Sequence, residues 1–204
     1  FCLASRDPNG NVTDGINRVN ASSLTGYATE GISAGQGSGA NETSLKALSK
    51  WDRDEYYNIW IVNEIEDNDG GAGIQGYAYF PNSSASRDGA VILFNAFGTV
   101  GNLKSYTSLN RTTTHELGHA FFLYHTFQGN SCSESDCENQ GDRVCDTPPT
   151  VTSTSCNNPA CSGTQQVENY MDYTSQTCMN MFTQGQKDRM RDAIQFMRPT
   201  LLTS

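Results

Sequence analysis

Apolar residues in this chain gather into a few short runs separated by long polar and glycine-rich stretches. YNIWIVNEI (57–65) is dense in β-branched and aromatic side chains and predicts a buried strand. GYAYFP (76–81) and GAVILFN (89–95) predict two more, with Pro81 closing the first because it cannot donate to a ladder. FCLA (1–4) reads as the end of a strand, followed by the turn DPNGN (7–11). Residues 20–42 are rich in Gly, Ser and Ala and predict a long loop, after which Thr43 or Ser44 caps a short helix through Ala47 to Trp51. A second period appears at HELGHAFFLY (115–124), where Leu117, Ala120, Phe121 and Leu123 suit a buried helix and Thr112 to Thr114 offer its N-cap. From 129 to 168 periodicity is lost to cysteine, Pro148, Pro149, Ser and Thr, and a last helix spans Gln184 to Phe196, before Pro199. No repeat or linker divides the chain, so one domain is expected.

Charge and composition narrow the function. With 204 residues and 36% hydrophobic content the chain can bury a core. Thirteen Lys and Arg against 22 Asp and Glu give a net charge of −9, which repels phosphate backbones and anionic lipid and argues against nucleic-acid and membrane partners. The longest apolar runs, such as AVILF (90–94), fall far short of the roughly 20 residues that span a bilayer. The acidic stretch EDNDGGAG (66–73) lacks EF-hand spacing and reads as a solvated turn.

Six of the seven cysteines lie between Cys132 and Cys178, and so dense and even a set predicts disulfides formed in an oxidising compartment. A cysteine zinc site is the rival reading, but no CxxC pair is present. Cys2 is left over and reads as a buried small hydrophobe. Asn11, Asn20, Asn41, Asn82 and Asn110 each begin a glycosylation sequon, in weak agreement with a secreted, polar surface. The sequence begins with Phe1 rather than methionine and shows no signal peptide, so an upstream segment is expected.

The chemistry concentrates in HELGHAFFLYH. All three histidines of the chain fall in this window, His115 and His119 bracketing Glu116 and His125 following six residues later. Histidines four apart share a helix face and can meet on one metal ion. Six more helical residues would turn His125 about 240° away, so the helix must end before it. Glycine at 122 would make that turn at little cost, but Phe122 is there. The helix is therefore expected to end near Phe121 to Leu123. Three neutral imidazoles leave one position of a tetrahedral zinc open, where a water's pKa falls toward about 7. Glu116 is placed to take that water's proton and pass it to the leaving amine, which is peptide hydrolysis. Glu134 and Glu138, in non-helical surroundings, are poorer third ligands than His125.

HExxH with a third histidine and a downstream methionine turn resembles the metzincin clan of zinc peptidases. HELGHAFFLYHTFQG, GDRVCDTPP, NYMDYTSQTCM and FTQGQKDRM resemble its pappalysin family, as do the earlier FCLASRDPNGNVTDGINR, WDRDEYYNIWIVNEI and GYAYFP. The resemblance implies an α+β fold in a single catalytic domain, 1–204. Its upper lobe, about 1–125, carries a twisted mixed sheet and the active-site helix; its lower lobe, about 126–204, is irregular and disulfide-bonded with a C-terminal helix. It further implies that Met171 floors the metal, that Tyr173 stabilises the oxyanion, and that Asp142, Asp146 and Thr147 bind a structural calcium. Its disulfide pattern implies Cys156 with Cys178 and Cys137 with Cys161, leaving Cys132 with Cys145. Two departures stand out beside Phe122. Gln176 occupies the position of an acid that gives relatives a basic preference after the scissile bond, and a strand and helix that open the family domain precede the present sequence. A fragment of a longer precursor is thus expected, its propeptide upstream. The reading is a secreted, monomeric, zinc-dependent metalloendopeptidase acting on protein or peptide laid along an edge strand, with GYAYFP the candidate. The alternatives are a zinc-binding pseudo-peptidase or binding module spoiled by Phe122, and a purely structural disulfide domain.

Overall fold

A computed structural model describes residues 2–35 and 37–202. In chain order its elements are a single turn α1 (Tyr27–Glu30), the short helix α2 (Glu42–Ala47), strands β1 (Ile59–Val62), β2 (Gly76–Ala78) and β3 (Ala90–Leu93), helix α3 (Arg111–Ala120), one distorted turn α4 (Ala160–Gly163) and helix α5 (Gln184–Met197). The three strands lie in the order β1-β3-β2, so β3 takes the centre. It pairs in parallel with β1, Ile59 opposite Ala90, and antiparallel with β2, Gly76 opposite Ile92. All four β3 residues are buried, as a continuous apolar run covered on both faces requires. With Ile32, Leu45, Val62 and Ile65 they form the core of an α+β fold.

YNIWIVNEI forms β1, but not as a buried strand. Ile59 and Ile61 are 38% and 42% exposed while Val62 is buried, because β1 is an edge strand covered on one face only. FCLA is not a strand either. Cys2 to Ala4 lack regular structure and Phe1 lies outside the described residues; the Cys2 thiol is exposed rather than buried, since no sheet covers this segment. DPNGN does turn, its Asp7 carboxylate accepting from Asn9 and Asn11 N–H at 2.9 and 2.8 Å. The expected loop at 20–42 is partly core, because Ile32 bridges both Ala40 and Ile65 and is fully buried. Asn41, not Thr43 or Ser44, caps α2 by accepting from Ser44 N–H at 3.0 Å.

Two buried ion pairs brace the sheet. Behind β2, Lys46 pairs with Glu42 at 2.7 Å, lies under the Tyr79 and Trp60 rings, and donates to the Arg87 carbonyl; Tyr79 donates to Glu42 at 2.7 Å. At the start of β3, Asp88 accepts from both terminal nitrogens of Arg198, which follows α5, and the pair is buried on both sides. Helix α5 itself opens with a Thr183–Gln186 capping box.

The cysteine segment corrects two expected pairings. Cys156 joins Cys178, but Cys132 pairs with Cys161 and Cys137 with Cys145. The reason is a local reversal: Asp136 accepts from Glu138, Asn139 and Gln140, and this turn folds the chain back so that Cys137 and Cys145 have Cα atoms 5.0 Å apart. Among the described residues no helix is long and apolar enough to cross a membrane.

Candidate metal centre and catalytic cleft

Helix α3 is held at both ends by unusual devices. It begins at Arg111, so Thr112 to Thr114 lie within it rather than capping it. Its first donors are met from 65 residues away: the Gln176 amide oxygen accepts from Arg111 N–H at 3.4 Å and Leu109 N–H at 3.2 Å, while its amide N–H donates to Thr112 Oγ1 at 3.0 Å. Gln176 therefore ties the segment after Met171 to the helix N-terminus. At the other end the helix stops at Ala120, and Phe122 takes φ +73°. Phe122 N–H donates to His119 O and Leu123 N–H to Gly118 O, both at 3.0 Å, the two bonds of a Schellman motif with phenylalanine in the position usually held by glycine. The left-handed residue costs about 1–2 kcal/mol. Those two bonds offset it, together with Arg189, which donates to the Phe122 carbonyl at 2.7 Å and lies over its ring.

That turn delivers His125 to the other histidines. His125 Nε2 lies 3.1 Å from Nε2 of both His115 and His119. Tetrahedral zinc with bonds of about 2.0–2.1 Å separates its ligand nitrogens by about 3.3 Å, so the spacing fits. The tautomers sharpen the point. His115 Nδ1 faces the Tyr170 carbonyl and His119 Nδ1 the Leu123 carbonyl, each at 2.7 Å, so both Nδ1 atoms carry the proton and both Nε2 atoms present lone pairs. A single proton on His125 satisfies only one of them; a cation at the centre satisfies all three. Burial holds His115 well below the usual imidazole range, lowers His119, and pushes His125 down to about 4, so all three are neutral near pH 7, the form that binds metal. Among the described residues these form the one group of three His, Cys, Asp or Glu side chains close enough to share an ion.

Around this centre the sequence-expected residues converge. Glu116 is buried on the same helix and accepts from Ala78 N–H of β2; burial pushes its carboxyl up to about 8. Met171 lies fully buried beneath α3, so close to Gly118 that a Cβ there would overlap its sulfur, which explains the glycine in HELGH. The Tyr173 ring packs against those of His125 and His115, with centroids 4.7 and 5.7 Å away. Asp172, between them, escapes sequence reasoning. Fully buried, it accepts from Thr126 Oγ1 at 2.8 Å, Gln165 Nε2 at 3.1 Å and Tyr173 N–H at 2.7 Å, joining the third-histidine segment to the methionine turn. Only its place between Met171 and Tyr173 could have singled it out.

The expected calcium ligands are brought only partly together. Asp142 is buried, its Oδ1 accepting from Thr147 Oγ1 at 2.9 Å and Val144 N–H at 3.0 Å, while its Oδ2 has no hydrogen-bond partner. Burial pushes its carboxyl up to about 6. Asp146 points instead toward α5, accepting from Gly185 N–H at 2.9 Å.

Comparison with known proteins agrees with this geometry. Residues 40–195 match the sequence model of the Peptidase_M43 family, described as pregnancy-associated plasma protein-A. The chain is 40% identical over 147 residues to an extracellular metalloprotease of Sordaria macrospora, covering 65% of this chain and 46% of that protein. It is 35% identical over 173 residues to extracellular metalloprotease 1 of Coccidioides posadasii, covering 79% and 58%. The chain thus spans about half the length of the curated relatives it matches. Mature mirolysin of Tannerella forsythia, solved in complex with a cleaved peptide, superposes with a TM-score of 0.72 and 32% identity over 98% of this chain and 73% of that one. The family match over most of the sequence, with the same fold in a solved relative, carries the conclusion that this chain belongs to the Peptidase_M43, or pappalysin, family.

Proposed function

We propose that the chain is the catalytic domain of a secreted zinc metalloendopeptidase. One observation carries the reading: one buried and two half-buried imidazoles, all neutral, whose Nε2 atoms converge at 3.1 Å, with the Glu116 carboxyl beside them on α3. His115, His119 and His125 would hold zinc, and Met171 would lie beneath them. When bound, the ion supplies Lewis acidity toward a carbonyl and toward water. Glu116 accepts the proton of the attacking water and returns it to the leaving amine. Tyr173 donates its hydroxyl to the developing oxyanion. The substrate lies in extended form along β2, which pairs with β3 on one side only and leaves its other edge open for a peptide to add as a strand. We read the chain as one domain that acts as a monomer, its two lobes meeting just after His125 and joined by the Asp88–Arg198 pair. The three disulfides, and relatives named extracellular metalloproteases, support an extracellular location. Intact Glu116 and Tyr173 leave nothing in favour of the pseudo-peptidase reading.

Metal analysis and hydrolysis of an unstructured protein such as casein test this. One zinc per chain is expected, with activity lost to a chelator and restored by zinc, and His125→Ala losing both zinc and activity. A metal-stripped chain that still cleaves undiminished overturns the proposal.

Calcium belongs to the same reading. The partnerless, buried Oδ2 of Asp142 is what an oxygen-seeking cation would satisfy, with the Thr147 hydroxyl already bonded to the same carboxylate. Without a cation, Asp142 is an acid whose folded value, about 6, lies above its ordinary 3.8. The penalty is therefore absent below pH 4 and complete above pH 6, amounting to about 3 kcal/mol. Millimolar calcium is expected to raise the melting temperature clearly at pH 8 and little at pH 4.5, and Asp142→Asn to abolish the response. Equal calcium shifts at the two pH values exclude Asp142 as the ligand.

A further inference from the structure

The Phe122 ring does not end in solvent. It meets Phe80 edge-on, with centroids 5.4 Å apart, and lies 6.1 Å from the Tyr124 ring; Phe80 in turn lies 5.0 Å from Tyr124 and 5.8 Å from His119. Phe80, Tyr124 and His119 line a cavity of about 350 Å³ together with Ala78, His125 and Gln128, and the Phe122 ring backs Phe80 and Tyr124 from outside that lining. That volume falls in the range of small-ligand sites. Two of the three converging histidines form part of its wall, so whatever occupies it lies next to the reacting bond. Ala78 and Phe80 come from the open edge of β2 and its continuation, so a peptide paired there carries a side chain across the cavity mouth.

Charge decides which side chain fits. The Arg189 guanidinium lies over Phe122 at 5.0 Å and over Tyr124 at 5.5 Å, and Arg143 lies over Tyr124 at 5.3 Å. Phe122 and Tyr124 are thus already engaged by cations, and an incoming lysine or arginine would meet like charge beside Tyr124. The cavity also sits at the C-terminal end of α3, whereas Gln176 is bonded at its N-terminal end. The two positions therefore flank opposite sides of the histidine cluster.

We propose that Phe80 and Tyr124, held in place by the Phe122 ring behind them, form a subsite that takes an aromatic or large apolar substrate side chain beside the scissile bond and rejects a basic one. This rests on the peptidase reading above. It also gives phenylalanine at a left-handed position a use: its ring fixes Phe80 and Tyr124 as a wall.

The test compares kcat/KM for matched peptides carrying Phe, Ala or Lys at each residue flanking the cleaved bond, in the wild type and in Phe122→Gly and Tyr124→Ser. Glycine suits φ +73°, so Phe122→Gly should keep the helix end and its zinc and melt within a few degrees of the wild type. The wild type is expected to prefer Phe over Ala by about tenfold or more at one position on one side of the bond, with Lys poorest. In both variants that ratio should fall to within about threefold. A wild type that cleaves without such a preference, or a preference that survives intact in both variants, overturns the subsite alone. A wild type that binds zinc and cleaves none of the peptides overturns the peptidase reading and the subsite with it.

Discussion

Glu116→Ala is expected to lower kcat/KM by about 10²–10⁴-fold while zinc content stays at the wild-type level. The two effects separate because Glu116 follows a ligand on α3 without being one. The three imidazoles keep the Tyr170 and Leu123 carbonyls that fix their tautomers. The cost to folding should be small, since the hydrogen bond lost is that from Ala78 N–H at the edge strand. In the proposed mechanism the Glu116 carboxyl carries the water's proton to the leaving amine, so its loss should appear in kcat more than in KM. A variant keeping more than about a tenth of wild-type kcat/KM, with its zinc bound, takes the proton transfer away from Glu116.

Arg198→Met is expected to destabilise the fold by about 3–5 kcal/mol, read as a lower urea midpoint with an unchanged slope. The guanidinium is buried against Asp88 just before the central strand, and removing it leaves a carboxylate under cover with Arg53 3.8 Å away and the Lys46 ammonium farther off. The double variant Asp88→Leu with Arg198→Met is expected to be more stable than the single one, because it removes the stranded charge as well. If the single and double variants unfold at the same midpoint, the pair does not carry the stability assigned to it.

Much of the site was legible because its chemistry needs residue types at fixed spacing. Two histidines four apart on a helix and a third after a forced turn define a centre whatever the surrounding fold, and the helix end near Phe122 follows from geometry. The strands were found as apolar runs, but their burial was not, because a run cannot show which strand is central. β3 is buried on both faces, while β1 exposes Ile59 and Ile61 at an edge. Caps went astray for a related reason. The donors at the start of α3 are met by Gln176, 65 residues on, which no local pattern reveals. Asp172 and the Lys46–Glu42 pair were likewise invisible, since a buried charge announces itself only through partners distant in sequence. The disulfides show the converse. Their pairing was set by a turn at Asp136 that the family pattern did not convey.

The cysteine bridges overlap in sequence: Cys132–Cys161 and Cys156–Cys178 share residues 156–161. Every peptide bond from 132 to 178 therefore lies inside at least one covalent ring. This stretch has little regular hydrogen bonding to resist a protease, so it is where an extracellular chain is most readily nicked. A single cut anywhere within it leaves both pieces joined through sulfur, and Met171 and Tyr173 cannot drift away from the histidines above them. Tolerance of being cut, rather than avoidance of it, is what these overlapping rings give a loop-built segment.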